Sequence, residues 1–414
     1  MSTIPPHVNA VMSALKFRGT QAQALEYLDD SQWTRLLAFT DVMHLTLTLA
    51  LRCARHLPNW VQARIAENLR DNQEHLQRLK VAYEEIKAAL DEAQVEHLVL
   101  KGFSHWLDDA ESVEYRMQSD IDLYCPRESL FRARDALARI GFITTHLSQY
   151  LPSDQHLPKM FRRSTWQWRG NYFDPEIPVS VDLHGRFWNA DAARFGPAGL
   201  DQFWERRMSS DFEGAGFLTL RPIDGLAYSS LHLLRHAISR NLLTHNVYEI
   251  AHFLHHSASD AGFWAEWQQV HHPSLRRLEA IAFRFACDWF DCDLSPEAQN
   301  EIEVIPTTVQ RWFHYYSDAP LYALFHPNKQ TLWLHLALVE SQRDRRSVLL
   351  HGLVPSGVPP LAAFDAVPDE GTQPAFLRRI SAYLHYVYSR ARYHGSVLPA
   401  TIWQSVRWWY LKDS

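Results

Sequence analysis

Two carboxylates at alternate positions of one apolar run constrain this chain more than any other feature. The run is Ser119-Asp120-Ile121-Asp122-Leu123-Tyr124. Its alternation predicts a strand, in which successive side chains leave opposite faces. Asp120, Asp122 and Tyr124 then share one face, while Ile121 and Leu123 point to the core. Neighbouring carboxylates repel, and burying them unpaired is costly. A divalent cation between them removes the conflict. Upstream, the apolar run Leu98-Val99-Leu100 enters Lys101-Gly102-Phe103-Ser104.

A third acid lies in Val179-Ser180-Val181-Asp182-Leu183-His184. Val179, Val181 and Leu183 face one way, so Asp182 faces the other with Ser180 and His184. If this strand lies beside the first, three carboxylates converge on one point. Hard cations take oxygen ligands, and three acids suit two magnesium ions. A metal pair bridges phosphates, activates an acceptor hydroxyl and stabilises a leaving pyrophosphate.

The rest of the chain is expected to build lobes around this corner. At 414 residues it exceeds what one hydrophobic core organises. With 46% hydrophobic and 21% charged residues it is globular rather than disordered. The 15 tryptophans suggest large cores or a cleft with stacking surfaces. A net charge of -6 argues against coating nucleic acid, which needs a basic surface. Cys53, Cys125, Cys287 and Cys292 have no paired CxxC spacing, so neither a zinc module nor a disulfide framework is indicated. The N-terminus lacks a basic region followed by an apolar run, and no stretch is long and apolar enough to span a bilayer. A cytoplasmic setting is therefore expected.

Periodicity divides the chain into residues 1–94, 95–190, 191–350 and 351–414. The first part is helical. Ser31-Gln32-Trp33 is expected to open a helix through Leu51, and Asn59 to cap a long helix striped by Ile65, Leu69, Leu76, Leu79, Tyr83, Ile86 and Leu90. The second part mixes periods. Val95–Leu100, Ser119–Cys125 and Phe142–Thr145 read as strands. A short helix is expected from Gly102 through Trp106 and Leu107, and another from Pro126 to Gly141. Thr165–Trp168 and Val179–Leu183 are expected to pair antiparallel. The third part reads as helices, at Pro222–Ile238, Val247–His255, Phe263–Val270, Leu275–Phe290 and beyond. Prolines 355, 359, 360, 368 and 374 mark a linker before a closing helix from Leu377. Its Arg378, Arg379, Arg390 and Arg392, with Trp408-Trp409-Tyr410, read as a packed terminal helix before RNA or membrane contact.

The ordered combination of Leu100-Lys101-Gly102, Arg116 with Ser119-Asp120-Ile121-Asp122-Leu123, and Val181-Asp182-Leu183-His184 resembles the uncharacterised nucleotidyltransferase family of the polymerase-β-like superfamily. The later Leu231-His232-Leu233-Leu234-Arg235-His236-Ala237 run is similar to that family's helical segment after the catalytic lobe. The resemblance implies an α+β fold: a nucleotidyltransferase lobe with a mixed sheet, flanked by N-terminal and C-terminal helical regions. It implies transfer of a nucleoside monophosphate, AMP from ATP first among the choices, to a hydroxyl, phosphate or amine, with release of pyrophosphate. The implied cofactors are two Mg2+ ions, with Mn2+ as a substitute. Asp120, Asp122 and Asp182 would be the catalytic metal ligands. Lys101, Gly102, Ser104 and Arg116 would hold the nucleotide, Gly102 by letting the backbone approach the triphosphate closely. His184, His232, His236 and Glu249 would line the acceptor cleft. The acceptor is expected to be a small molecule, peptide or protein, with nucleic acid not expected.

Two departures from the family pattern stand out. Gly102-Phe103 replaces the usual Gly-Ser or Gly-Gly, and Glu249 stands where the family tends to carry Asp. Other readings stay open beside this one. A catalytically idle nucleotide- or partner-binding module of the same fold keeps the lobe without the reaction. His232 and His236 have a zinc-ligating i, i+4 spacing, but Leu233 stands where HExxH has glutamate. Lys159 to Arg169 mixes basic and aromatic residues, which suits either base stacking or strand packing.

Overall fold

A computed structural model describes residues 4–102, 113–144, 157–353 and 375–410. Ser104, the short helix expected through Trp106 and Leu107, and the proline-rich linker lie outside the described residues.

The alternating runs form a mixed seven-stranded sheet of order β3-β4-β5-β2-β1-β7-β6. Its strands are β1 Leu98–Val99, β2 Asp120–Tyr124, β3 Phe142–Thr144, β4 Met160–Arg162, β5 Ser180–His184, β6 Met208–Phe212 and β7 Ala215–Thr219. β2 runs parallel to β5, and β1 parallel to β7; the other pairs are antiparallel. The acid-bearing strands are thus the central β2 and its neighbour β5, each with a strand on both sides.

Helices cover the sheet because its apolar side chains must leave water. α1 Pro6–Ala14, α2 Asp30–Val42, α3 Thr46–Cys53 and α4 Asn59–Glu92 precede the sheet, and α5 Leu130–Arg139 crosses between strands. Ile121, Leu123, Val181 and Leu183 are buried in one core with Leu79, Tyr83 and Ile86 of α4 and Ala133 and Leu137 of α5. Leu98 and Leu100 join a second core, shared with α2, α3 and the helices that follow the sheet. α4 belongs to both cores, Val61 and Ile65 to one and Leu76 to Leu90 to the other. Short α6 Ala190–Ala193 and α7 Gln202–Glu205 lead on to β6. Then α8 Pro222–Ser239, α9 Thr244–Ser257, α10 Ala261–Val270 and α11 Pro273–Phe290 match the helical segments expected there. The helices of residues 296–353 and the closing helix Ala375–Tyr410 complete the chain. Trp408 of the closing helix stacks on Trp333, so its end is packed as expected.

Four local expectations are corrected. The helix expected from Ser31 through Leu51 breaks after Val42, where His44 takes a left-handed φ of 58°. The hydroxyl of Thr46 donates to Asp41 Oδ1 at 2.6 Å, and Arg64 holds the other oxygen. That buried polar joint turns the chain between α2 and α3. Asn59 caps nothing: it is the first helical residue of α4 after Pro58, and no side-chain cap forms. The strand pairing with β5 is Met160–Arg162, not Thr165–Trp168. The tryptophans of the latter run meet edge to face at 6.1 Å in a loop, and Trp166 Nε1 donates to Asp174. Alternation there reflects ring contacts rather than a ladder. Finally, residues 208–219 form a β-hairpin within a stretch expected to be helical. Glu213 and Gly214, with φ of 50° and 87°, make its turn, and paired left-handed residues match the right-handed twist of the flanking strands.

Candidate active site

Parallel pairing of β2 with β5 fixes the register of the acids. Asp122 lies opposite Asp182, and Tyr124 opposite His184. Since neighbouring residues across a parallel pair point the same way, both carboxylates and the imidazole emerge on one face. Asp122 is buried, and His184 Nε2 donates to its Oδ1 at 2.8 Å. Lys101 Nζ, just past β1, lies 2.9 Å from Asp122 Oδ2. Lys159, just before β4, spans the other two acids, 2.8 Å from Asp120 Oδ2 and 3.3 Å from Asp182 Oδ2.

The acids differ in proton affinity. Burial pushes the Asp122 carboxyl up, but Lys101 and His184 outweigh it and hold that group well below the usual carboxylate range. Burial also raises Asp182, Lys159 opposes, and the charges of Asp122 and Asp120 add to the rise. Lys159 shows the converse. Burial disfavours its ammonium, yet Asp120 and Asp182 prevail and raise its pKa. Asp122 therefore stays charged, while Asp182 is the better proton acceptor of the pair.

A divalent cation fits this donor set. Ligand atoms of Asp122, Asp182 and His184 lie within 4.8 Å of one another. Asp182 Oδ1 is buried and, among the described residues, has no hydrogen-bond partner, which leaves an oxygen lone pair for a ligand. Oxygen donors suit Mg2+, and the added imidazole nitrogen suits Mn2+.

Of the expected nucleotide residues, Lys101, Gly102 and Arg116 line a narrow cleft with His232 and Glu249. Arg116 Nε donates to Glu249 Oε1 at 2.5 Å, and His245 Nε2 lies 3.4 Å from the other Glu249 oxygen. Arg116 and Glu249, assigned by sequence to nucleotide and acceptor, are thus partners. Gly102 is required for a different reason than the one expected. Its φ is 75°, and a Cβ there would lie 2.0 Å from Gln118 Nε2. The Gln118 amide, which donates to the Asp120 carbonyl at 2.8 Å, fills the space expected to receive phosphate.

His232 and His236 face each other on α8 with ring centroids 4.3 Å apart. Lys101 Nζ lies 3.4 Å from His232 Nε2 and Arg235 lies 3.3 Å from its Nδ1, and the neutral ring accepts from one of the two. Burial and these cations hold His232 well below the ordinary imidazole value, and burial with Arg235 brings His236 to about 4. Two cations against one ring oppose zinc, and among the described residues no third ligand joins this pair. The zinc reading is set aside.

Lys159, Gln118 and Arg235 are the residues that sequence reasoning did not assign to the site. Lys159 opens the basic and aromatic run, which was the one available signal for it. A protein-family model described as "Uncharacterised nucleotidyltransferase" matches residues 29–291. Comparison with curated proteins and with solved structures returns no significant match.

Proposed function

The chain belongs to the uncharacterised nucleotidyltransferase family, and from that premise we propose that it moves the nucleoside monophosphate of an NTP, ATP first, onto a hydroxyl, phosphate or amine acceptor. The observation that carries this reading is the register that sets Asp122 against Asp182, with Asp182 Oδ1 unpartnered beside it. A divalent cation held by Asp122, Asp182 and His184, with Asp120 alongside for a second ion, would neutralise phosphate charge and acidify the acceptor. Asp182, the carboxylate with raised proton affinity, takes the acceptor's proton. The acceptor atom bonds to the α-phosphorus as the α–β bridging P–O bond breaks. Pyrophosphate leaves with that electron pair. Lys101 and Arg116, held by Asp122 and Glu249, would meet the nucleotide's phosphates from the cleft. Catalysis of this kind is mostly positioning and charge neutralisation. A cytoplasmic setting, where NTPs are supplied, belongs to the same reading.

The test is pyrophosphate release by purified protein with labelled ATP, Mg2+ or Mn2+, and a cell extract as acceptor source. Asp120→Asn and Asp182→Asn are each expected to cut release by about a hundredfold or more with the circular dichroism spectrum unchanged. Normal turnover in either variant contradicts the mechanism. Lys159 favours a second reading, because it supplies from within the chain the positive charge that Asp120 and Asp182 demand. An idle nucleotide-binding module would bind ATP equally with and without Mg2+ and release no pyrophosphate.

A further inference from the structure

Beside the carboxylates, between the segment after β5 and α8, lies a cavity of about 310 Å3. Its walls are mostly apolar, from Phe187, Trp188 and Tyr228, with His184, Arg186, His232 and Arg235 among its polar edges. The rings are fixed before anything binds. Phe187 stacks on Tyr124 with centroids 4.1 Å apart, and Trp188 Nε1 donates to the Phe195 carbonyl at 2.7 Å. A preformed apolar wall spares a ligand the cost of ordering it.

Arg235 is the anomaly in this wall. It is half-buried, and among the described residues its polar neighbour is the neutral ring of His232 and no carboxylate pairs with it. The other arginine of this wall, Arg186, faces Asp191 at 3.5 Å, and elsewhere Arg116, Arg206 and Arg276 pair with Glu249, Asp224 and Glu301. A guanidinium drawn from water without an anion is costly, so its natural partner is an anion that arrives from outside. The cavity is also placed for a second substrate. His232 lines both this cavity and the cleft of Lys101, Gly102 and Arg116. Asp122 is touched by Lys101, which lines the cleft, and by His184, which lines the cavity.

We propose that this cavity binds the acceptor, and that the acceptor is a small organic anion. Its carboxylate or phosphate pairs with Arg235, and its apolar, ring-bearing body lies against Phe187 and Trp188. The attacking hydroxyl or amine then points past His184 to the carboxylates. A volume of about 310 Å3 suits a small molecule. The word acceptor rests on the nucleotidyl-transfer reading; the anion site does not.

Binding separates the two. Calorimetry on the full chain, with Mg2+ and the inert analogue α,β-methylene-ATP present, is run with phenyl phosphate, benzoate, benzyl alcohol and benzylamine. The aromatic anions are expected to bind while the analogue stays bound, and the neutral and cationic probes to bind at least about tenfold more weakly. The better of phenyl phosphate and benzoate tells which anion the site prefers. Arg235→Gln is expected to weaken the anions by about tenfold or more, with Arg235→Lys recovering part. Both Arg235 variants should melt as wild type does. Benzyl alcohol binding as well as the anions, displacement of the anions by the ATP analogue, no anion binding at millimolar concentration, or indifference to Arg235→Gln would each overturn the proposal. Arg235-dependent binding in a protein that releases no pyrophosphate would uphold the anion site and sink nucleotidyl transfer. Pyrophosphate release together with Arg235-independent binding would do the reverse.

Discussion

Lys159 Nζ sits between two carboxylates, 2.8 Å from Asp120 and 3.3 Å from Asp182. A charge in that position competes with any divalent ion for the same oxygens. Lys159→Met is therefore expected to tighten Mn2+ binding, read by electron paramagnetic resonance, by about tenfold. It should also lower the Tm in chelator, with Mn2+ restoring it. Unchanged Mn2+ affinity would mean that Lys159 does not guard the cluster. Gly102 makes a second prediction at this scale. Gly102→Ala meets both a left-handed φ and the Gln118 amide, and should cost about 1–2 kcal/mol in urea unfolding. Adding Gln118→Ala should return the steric part but not the backbone part. The three acids were legible in sequence because strand alternation alone sets their face, with no knowledge of the rest of the fold. Lys159 was not, because which lysine meets them depends on β4 returning antiparallel, with Phe161 opposite Ser180. Gln118 was illegible for a similar reason: nothing local says that an amide folds back over the glycine.

Among elements, the neighbourhood of β2 and β5 was the expectation that mattered most, and the ladder between them bears it out. The hairpin of β6 and β7 escaped detection because β6 is an edge strand whose residues are mostly exposed, so its sequence carries little apolar alternation. Glu213-Gly214 between two short runs was the usable signal. β7 nonetheless anchors the strand that leads to Lys101. Thr219 Oγ1, buried, donates to the Val99 carbonyl at 2.8 Å. Thr219→Val keeps the shape and loses that bond, and is expected to cost about 1 kcal/mol in chemical denaturation. The break between α2 and α3 was illegible too, because the Thr46, Asp41 and Arg64 joint that makes it depends on a residue in α4.

At the level of the whole molecule, one buried ionic network ties α8 to α11 and to the segments around them. His271 lies 2.9 Å from Glu279 and 3.4 Å from Asp224, all fully buried, and Arg206 clasps Asp224 from outside. Burial works against the imidazolium, but Glu279 and Asp224 prevail and raise His271 from 6.5 to about 9. The folded chain then holds this proton more tightly than the unfolded one. Its stabilisation, roughly 3 kcal/mol, is complete below the unfolded value and is lost as pH rises through about 9. Asp224 acts in the other direction. Burial opposes its charge, but His271 and Arg206 lower its pKa below 3.8, so its share is present above that value and is lost in acid. Urea midpoints are expected to fall on the alkaline side, and His271→Gln to flatten that slope. A slope that survives the substitution would assign it elsewhere. None of this was visible in sequence, where His271, Asp224 and Glu279 carry no shared motif. Among the described residues, no single helix is long and apolar enough to cross a membrane.

β1 is held between β2 and β7, and that arrangement bears on how the protein can be cut for study. A piece ending at residue 190 keeps every acid yet strips one flank of β1, leaving its backbone amides and carbonyls open to a second chain. Such a fragment invites edge-to-edge clumping, and it lacks the α8 side chains that line the cleft and the cavity. Useful truncations must therefore retain the hairpin and the whole of α8.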